Sequence, residues 1–108
     1  MAKFALFFTY TGATIKGLMD NPGDRAAAVR TTCEAAGGRM DGYYVMFGAW
    51  DGFVLADLPD SKAAAAISLA VSSTGAFGHV ETHELLEAGD FTSVLDAASR
   101  LTYRPPGQ

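Results

Sequence analysis

The stretch Phe47-Gly48-Ala49-Trp50-Asp51-Gly52-Phe53-Val54-Leu55-Ala56-Asp57-Leu58-Pro59-Asp60-Ser61-Lys62 decides the fold, because it passes from a turn through a strand into a helix start. Gly48 permits the positive φ that a tight connection needs. The apolar run from Phe53 to Ala56 has the length of a short buried strand. Pro59 has no N–H to offer a sheet, and Asp60 stands where its carboxylate would cap the alanine-rich segment that follows. The predicted strand is therefore 52–58, with Asp51, Phe53, Leu55 and Asp57 on one face and Gly52, Val54 and Ala56 on the other. The smaller face suits a helix. The helix predicted over 61–73 carries Ala63, Ala66, Ile67, Ala70 and Val71 as its apolar stripe, with Lys62, Ser68 and Ser72 elsewhere on the wheel, and Gly75 closes it.

Outward from this centre, residues 39–46 read as a strand with Tyr43 and Val45 on one side and Tyr44 and Met46 on the other. Before it, Asn21 as N-cap, Pro22 at the first helical position and Asp24 in the first turn predict a helix that ends at Gly37-Gly38. Its stripe of Ala26, Val29, Cys33 and Ala36 is narrow enough to lie close to a sheet. The first strand is predicted over 3–11, with Phe4, Leu6, Phe8 and Tyr10 facing one way and Ala5, Phe7 and Thr9 the other. Both faces are apolar, as in a strand covered on two sides. Residues 12–20 suggest no more than one helical turn. Beyond the centre, a strand over 77–86 places His79, Glu81, His83 and Leu85 opposite Val80, Thr82, Glu84 and Leu86. Its interior face is not decided by the pattern. Asp90 is placed to cap a short last helix with Phe91, Val94, Leu95 and Ala98 along one edge. The order β-α-β-β-α-β-α begins as the split βαβ pattern, which forms a four-stranded antiparallel sheet with two helices on one face.

Composition narrows the class. The chain has 108 residues, 49% hydrophobic and 19% charged, which suits one globular domain over 1–108. No apolar stretch approaches the ~20 residues of a membrane span. The alternating run after Lys3 fits a strand better than a secretory segment, so a cytoplasmic location is expected. A net charge of −4 with eight scattered Lys and Arg offers no footprint for a phosphate backbone, and nucleic acid is not expected as a partner. The single cysteine, Cys33, reads as a small buried hydrophobe.

Gly48-Ala49-Trp50-Asp51, the Leu58-Pro59-Asp60 step into Ala63-Ala64-Ala65-Ala66, and Val80-Glu81-Thr82 together carry a resemblance. Over roughly residues 4–86 the chain resembles the GYD-domain family, with Trp50 where the family's name has tyrosine and one extra residue after Gly48. The resemblance implies an α+β, ferredoxin-like βαββαβ domain related to the dimeric α/β-barrel proteins, and no settled activity. The wider barrel group includes small cofactor-free isomerases and oxygenases.

Two helices cover only one face of four strands, so the second apolar face needs another cover. A second copy of the chain would supply it, giving a homodimer or higher oligomer. A space between paired sheets is then the expected pocket for a small apolar or aromatic ligand, lined by Tyr10, Tyr43 or Tyr44, Trp50, Phe53 and Leu55, with Asp57 on the same face. The other reading of these aromatics is dry packing. Asp51, at a strand end beside Gly48 and Trp50, is the first candidate for acid–base chemistry, against a local role in the turn. His79 and His83 are the second. They would stand roughly 13 Å apart along a strand, too far to share a metal, so neither metal nor cofactor is expected. Three readings follow: an oligomeric small-molecule-binding domain first, then a cofactor-independent acid–base enzyme or a purely structural assembly module.

Overall fold

The computed structural model describes residues 1–108. In chain order the elements are β1 (Ala2–Tyr10), α1 (Gly12–Asp20), α2 (Arg25–Ala35), β2 (Arg39–Val45), β3 (Gly52–Leu58), α3 (Ser61–Ser72), β4 (Phe77–Leu85) and α4 (Ala88–Ser99). The strands form one sheet in the order β2-β3-β1-β4, with every neighbouring pair antiparallel. This is the ferredoxin-like α+β arrangement expected from the order of elements.

The register shows why the sheet has one helix-covered face. Phe4 lies opposite Ala56, Leu6 opposite Val54 and Phe8 opposite Gly52, so large side chains of β1 meet small ones of β3. Together with Leu58, Cys33, Ala64 and Ile67 they make the core, in which Ala56 and Leu58 are fully buried. Burial of a Leu or Phe side chain contributes about 1.5–3 kcal/mol each, so this alternating set holds α2 and α3 to the sheet. The β3 limits agree with the expectation residue for residue. Gly48 takes the positive φ expected of it, at 116°.

Four local readings are corrected. The segment 12–20 is a nine-residue helix, α1, because Thr11 caps it, its Oγ1 accepting from the Thr14 N–H at 3.2 Å. Gly12 and Gly17 lower the helix propensity and hid it. The cap of α2 is Asp24, whose carboxylate accepts from the Ala27 N–H at 3.0 Å, while Asn21 ends α1. In α3, Asp60 caps as expected, but the buried side is Ala64 and Ile67 with Ser68, which hydrogen-bonds Thr82; Ala66 and Ala70 are exposed. A polar pair thus sits where periodicity alone favoured alanine. Asp90 lies within the first turn of α4 rather than at its cap, which is Glu87.

Helix α4 has no buried residue and makes no more than marginal contact with any other element. The chain is consequently long, 56 × 34 × 23 Å with a radius of gyration of 17.3 Å, against ~13 Å for a compact domain of this length. No helix is long and apolar enough to cross a membrane.

Candidate functional site

The two faces of the sheet carry different chemistry, and the expected pocket residues divide between them. Residues of β1 and β3 that alternate with the core, Ala5, Phe7, Phe53 and Leu55, stand on the face without helices. Phe7 is the centre of an aromatic surface there: its ring stacks on Phe53 at 5.4 Å, tilts against Trp50 at 5.7 Å and meets the His83 ring edge-on at 5.8 Å. Tyr44 extends the row by stacking on Phe53 at 5.2 Å, and His79 stacks on Trp50 at 5.4 Å. Glu81 stands between the two histidines, with His83 Nε2 at 2.9 Å and His79 Nε2 at 3.6 Å from its carboxylate oxygens. All three are about half exposed or more, at 43% for Glu81, 50% for His83 and 64% for His79. The arrangement can hold or pass a proton between the imidazoles through the carboxylate, and it lies open.

The same face ends in a charged cluster. Asp57 receives Arg39 at 2.8 Å and Lys3 at 3.2 Å, and Asp41 receives the same two cations at 3.0 and 3.1 Å. Asp41 reaches it because β2 bulges between Met40 and Gly42. Burial pushes the Asp57 carboxyl up, but the Lys3 and Arg39 cations that donate to it outweigh this and hold the pKa below the usual value. Lys3 is raised, first by its hydrogen bond to Asp41 and then by that to Asp57; Arg39 is raised, first by Asp57. Asp57 therefore belongs to a paired cluster at the margin of the aromatic surface.

Tyr10 and Tyr43 lie on the other face, under the helices, and do not join Tyr44, Trp50 and Phe53 in one pocket. Tyr10 packs against Phe8 and Phe77, and its hydroxyl is 2.9 Å from that of Tyr43. Burial, then the hydrogen bond to Tyr10, pushes the Tyr43 phenol far up, and the nearby Arg25 charge only partly offsets this. Tyr43 thus stays protonated, a hydrogen-bond donor, at any ordinary pH. Helices α1, α2 and α3 and the sheet together line a cleft of about 570 Å³. Leu18, Val29, Ile67, Val71 and Phe77 give it apolar walls, with Tyr10 in the wall and Arg25 at the rim. Beneath it a recess of about 50 Å³, shared by Tyr10 and Arg25, reaches Tyr43 and Cys33. The Cys33 thiol is pushed up by burial and next by Glu34, and is almost wholly buried. This suits packing rather than nucleophilic attack.

Asp51 lines neither the cleft nor the recess. Its carboxylate accepts a hydrogen bond from the Tyr10 backbone N–H, so it acts on the cleft only by holding Tyr10. Three residues at these surfaces were missed in the sequence. Phe7 was assigned to a face but not to a site. Glu81 was placed on one face with His79 and His83 but not in a site. Arg25 was overlooked because the α2 cap was placed at Asn21; the spacing of Asp24 to Ala27, read as a cap, would have put Arg25 at the helix start.

A family model described as GYD domain matches residues 4–95, and the chain belongs to this family. The match includes α4 as far as Leu95, beyond the 4–86 read from the sequence. No curated protein and no solved structure gives a significant match to the chain.

Proposed function

We propose that this GYD-domain protein is a self-associating small-molecule-binding domain whose pocket is the cleft between the sheet and helices α1, α2 and α3. The observation that carries the reading is the cleft itself. Its volume lies within the roughly 300–1,000 Å³ usual for small-molecule sites, and its walls are apolar around a few polar groups. The binding role expected from the sequence is kept, and its place moves from between two sheets to between sheet and helices. Self-association is supported by the opposite face. No helix of the chain covers the face of Phe7, Phe53, Trp50 and Tyr44, where Tyr44 is exposed and the other three are half-buried against one another, and the α4 stripe of Phe91, Val94 and Leu95 is exposed at 52%, 42% and 54%. A lone twelve-residue helix is marginal in water, so α4 needs a partner surface, and a second copy offers one with both requirements met in a closed pair.

Titration calorimetry of the full chain with octan-1-ol, a neutral apolar probe, tests the pocket. Ala70 is exposed on the cleft wall, and Ala70→Phe fills the space at a cost of about 0.5 kcal/mol in helix propensity. Saturable binding lost in Ala70→Phe at an unchanged fold supports the cleft, and binding that survives the substitution removes it. The Glu81 bridge between His79 and His83 favours a second reading, acid–base catalysis on the sheet face without a cofactor. That reading needs a second copy to exclude water from the three side chains.

A further inference from the structure

We infer that the cleft ligand is an apolar monocarboxylate, its hydrocarbon part between α2 and α3 and its carboxylate at Arg25. The inference rests on the cleft being the binding site and adds the charge of what it binds.

Three observations carry it. The first is the sign of the charge. Although the chain is net −4, no acidic side chain lines the cleft or its recess, and Arg25 is the only charged residue on either. The second is that Arg25 takes part in none of the ion pairs of the protein, unlike Arg39 and Arg100. The neighbouring Asp24 turns its carboxylate to the Ala27 N–H, capping α2. A guanidinium at the edge of an apolar space, with its forked donors unmatched, is complementary to a carboxylate. The third is the phenol pair. One hydrogen bond between Tyr10 and Tyr43 uses one O–H and leaves the other free to donate. Burial and this bond keep Tyr43 a phenol, so the pair offers a donor and no anion to repel the ligand. Beyond these groups the walls are aliphatic or aromatic apart from Thr14, Thr32 and Thr74, whose hydroxyls are hydrogen-bonded within the chain, and none of them is charged, which limits the ligand to one charged end.

Octanoate and octan-1-ol share a chain and differ in the charged end, so paired calorimetry at pH 7.5 separates the inference from the reading beneath it. Octanoate is expected to bind about ten- to a hundredfold tighter, the range of a hydrogen bond to a charged group. Arg25→Met should abolish that preference, read as the ratio of the two affinities within the same variant, and Arg25→Lys should restore part of it. Equal affinity of the two probes for the wild type overturns the carboxylate and leaves the pocket standing. A preference that survives Arg25→Met overturns the role of Arg25. Failure of both probes to bind overturns the pocket and this inference together.

Discussion

The carboxylate of Asp51 accepts a 2.7 Å hydrogen bond from the backbone N–H of Tyr10, tying the first turn before β3 to the last residue of β1. The β1–β3 ladder ends where Phe8 faces Gly52, so the Tyr10 N–H has no strand partner and Asp51 supplies the missing acceptor. The Asp51 N–H in turn donates to the Phe8 carbonyl at 2.9 Å. Asp51→Ala should cost about 1–3 kcal/mol, the range for leaving a partly buried donor unsatisfied. Asp51→Asn, which keeps an acceptor oxygen, should cost less than half as much. Urea melts of the two variants check this, and equal losses would show that charge rather than acceptance is what Asp51 provides.

The charged cluster predicts an acid limb to stability. A carboxyl with a folded pKa below its unfolded value of about 4 contributes stability above that value and loses it as pH falls through the folded pKa. Asp57 is such a group. Wild type and Asp57→Asn should therefore differ most at pH 5–7 and converge below about pH 4. Urea midpoints measured from pH 7 down to pH 2.5 decide it; a gap that stays constant through this range would assign the cost of the variant to packing.

Gly38 stands where the chain enters β2 against the end of β3. A Cβ there would run into the Asp57 carbonyl oxygen and lie 2.9 Å from a Leu58 methyl. The neighbour in the way is backbone, so Gly38→Ala should destabilise by about 1–3 kcal/mol or more, as overpacking does. Thermal melts would show it as a clear fall in Tm, while an unchanged Tm would mean that β2 can shift away from β3.

Sedimentation velocity at micromolar concentration should find a dimer or larger assembly, since no helix of the chain covers the aromatic sheet face and the α4 stripe is exposed. Phe91→Glu combined with Leu95→Glu should shift it toward monomer without unfolding the sheet, because neither residue touches the core. A monomeric wild type would remove self-association, and an oligomer indifferent to the pair would exclude α4 from its interface.

Leu58→Ala tests the core itself. The side chain is fully buried at the end of β3, and the loss should be about 2–5 kcal/mol. A loss below 1 kcal/mol would mean that α2 and α3 collapse into the space.

The features legible in the residues themselves are local. Pro59 and Asp60 mark the end of β3 and the start of α3 because a missing N–H and a short acceptor act within a few residues. The alternation along β1, β3 and β4 sets which residues share a face, and the order of elements sets the ferredoxin-like sheet. Which face is which is settled by packing between elements. Phe4, Leu6 and Phe8 compete with Ala5 and Phe7 on equal hydrophobic terms, so periodicity is silent; the choice comes from pairing large β1 residues with small β3 ones beneath two helices. That choice sends Tyr10 and Tyr43 under the helices and leaves Tyr44, Trp50, Phe53, His79 and His83 on the open sheet. It also gives Asp51 a backbone to hold and leaves Arg25 at a cleft rim, relations between residues far apart in the chain that no local pattern encodes.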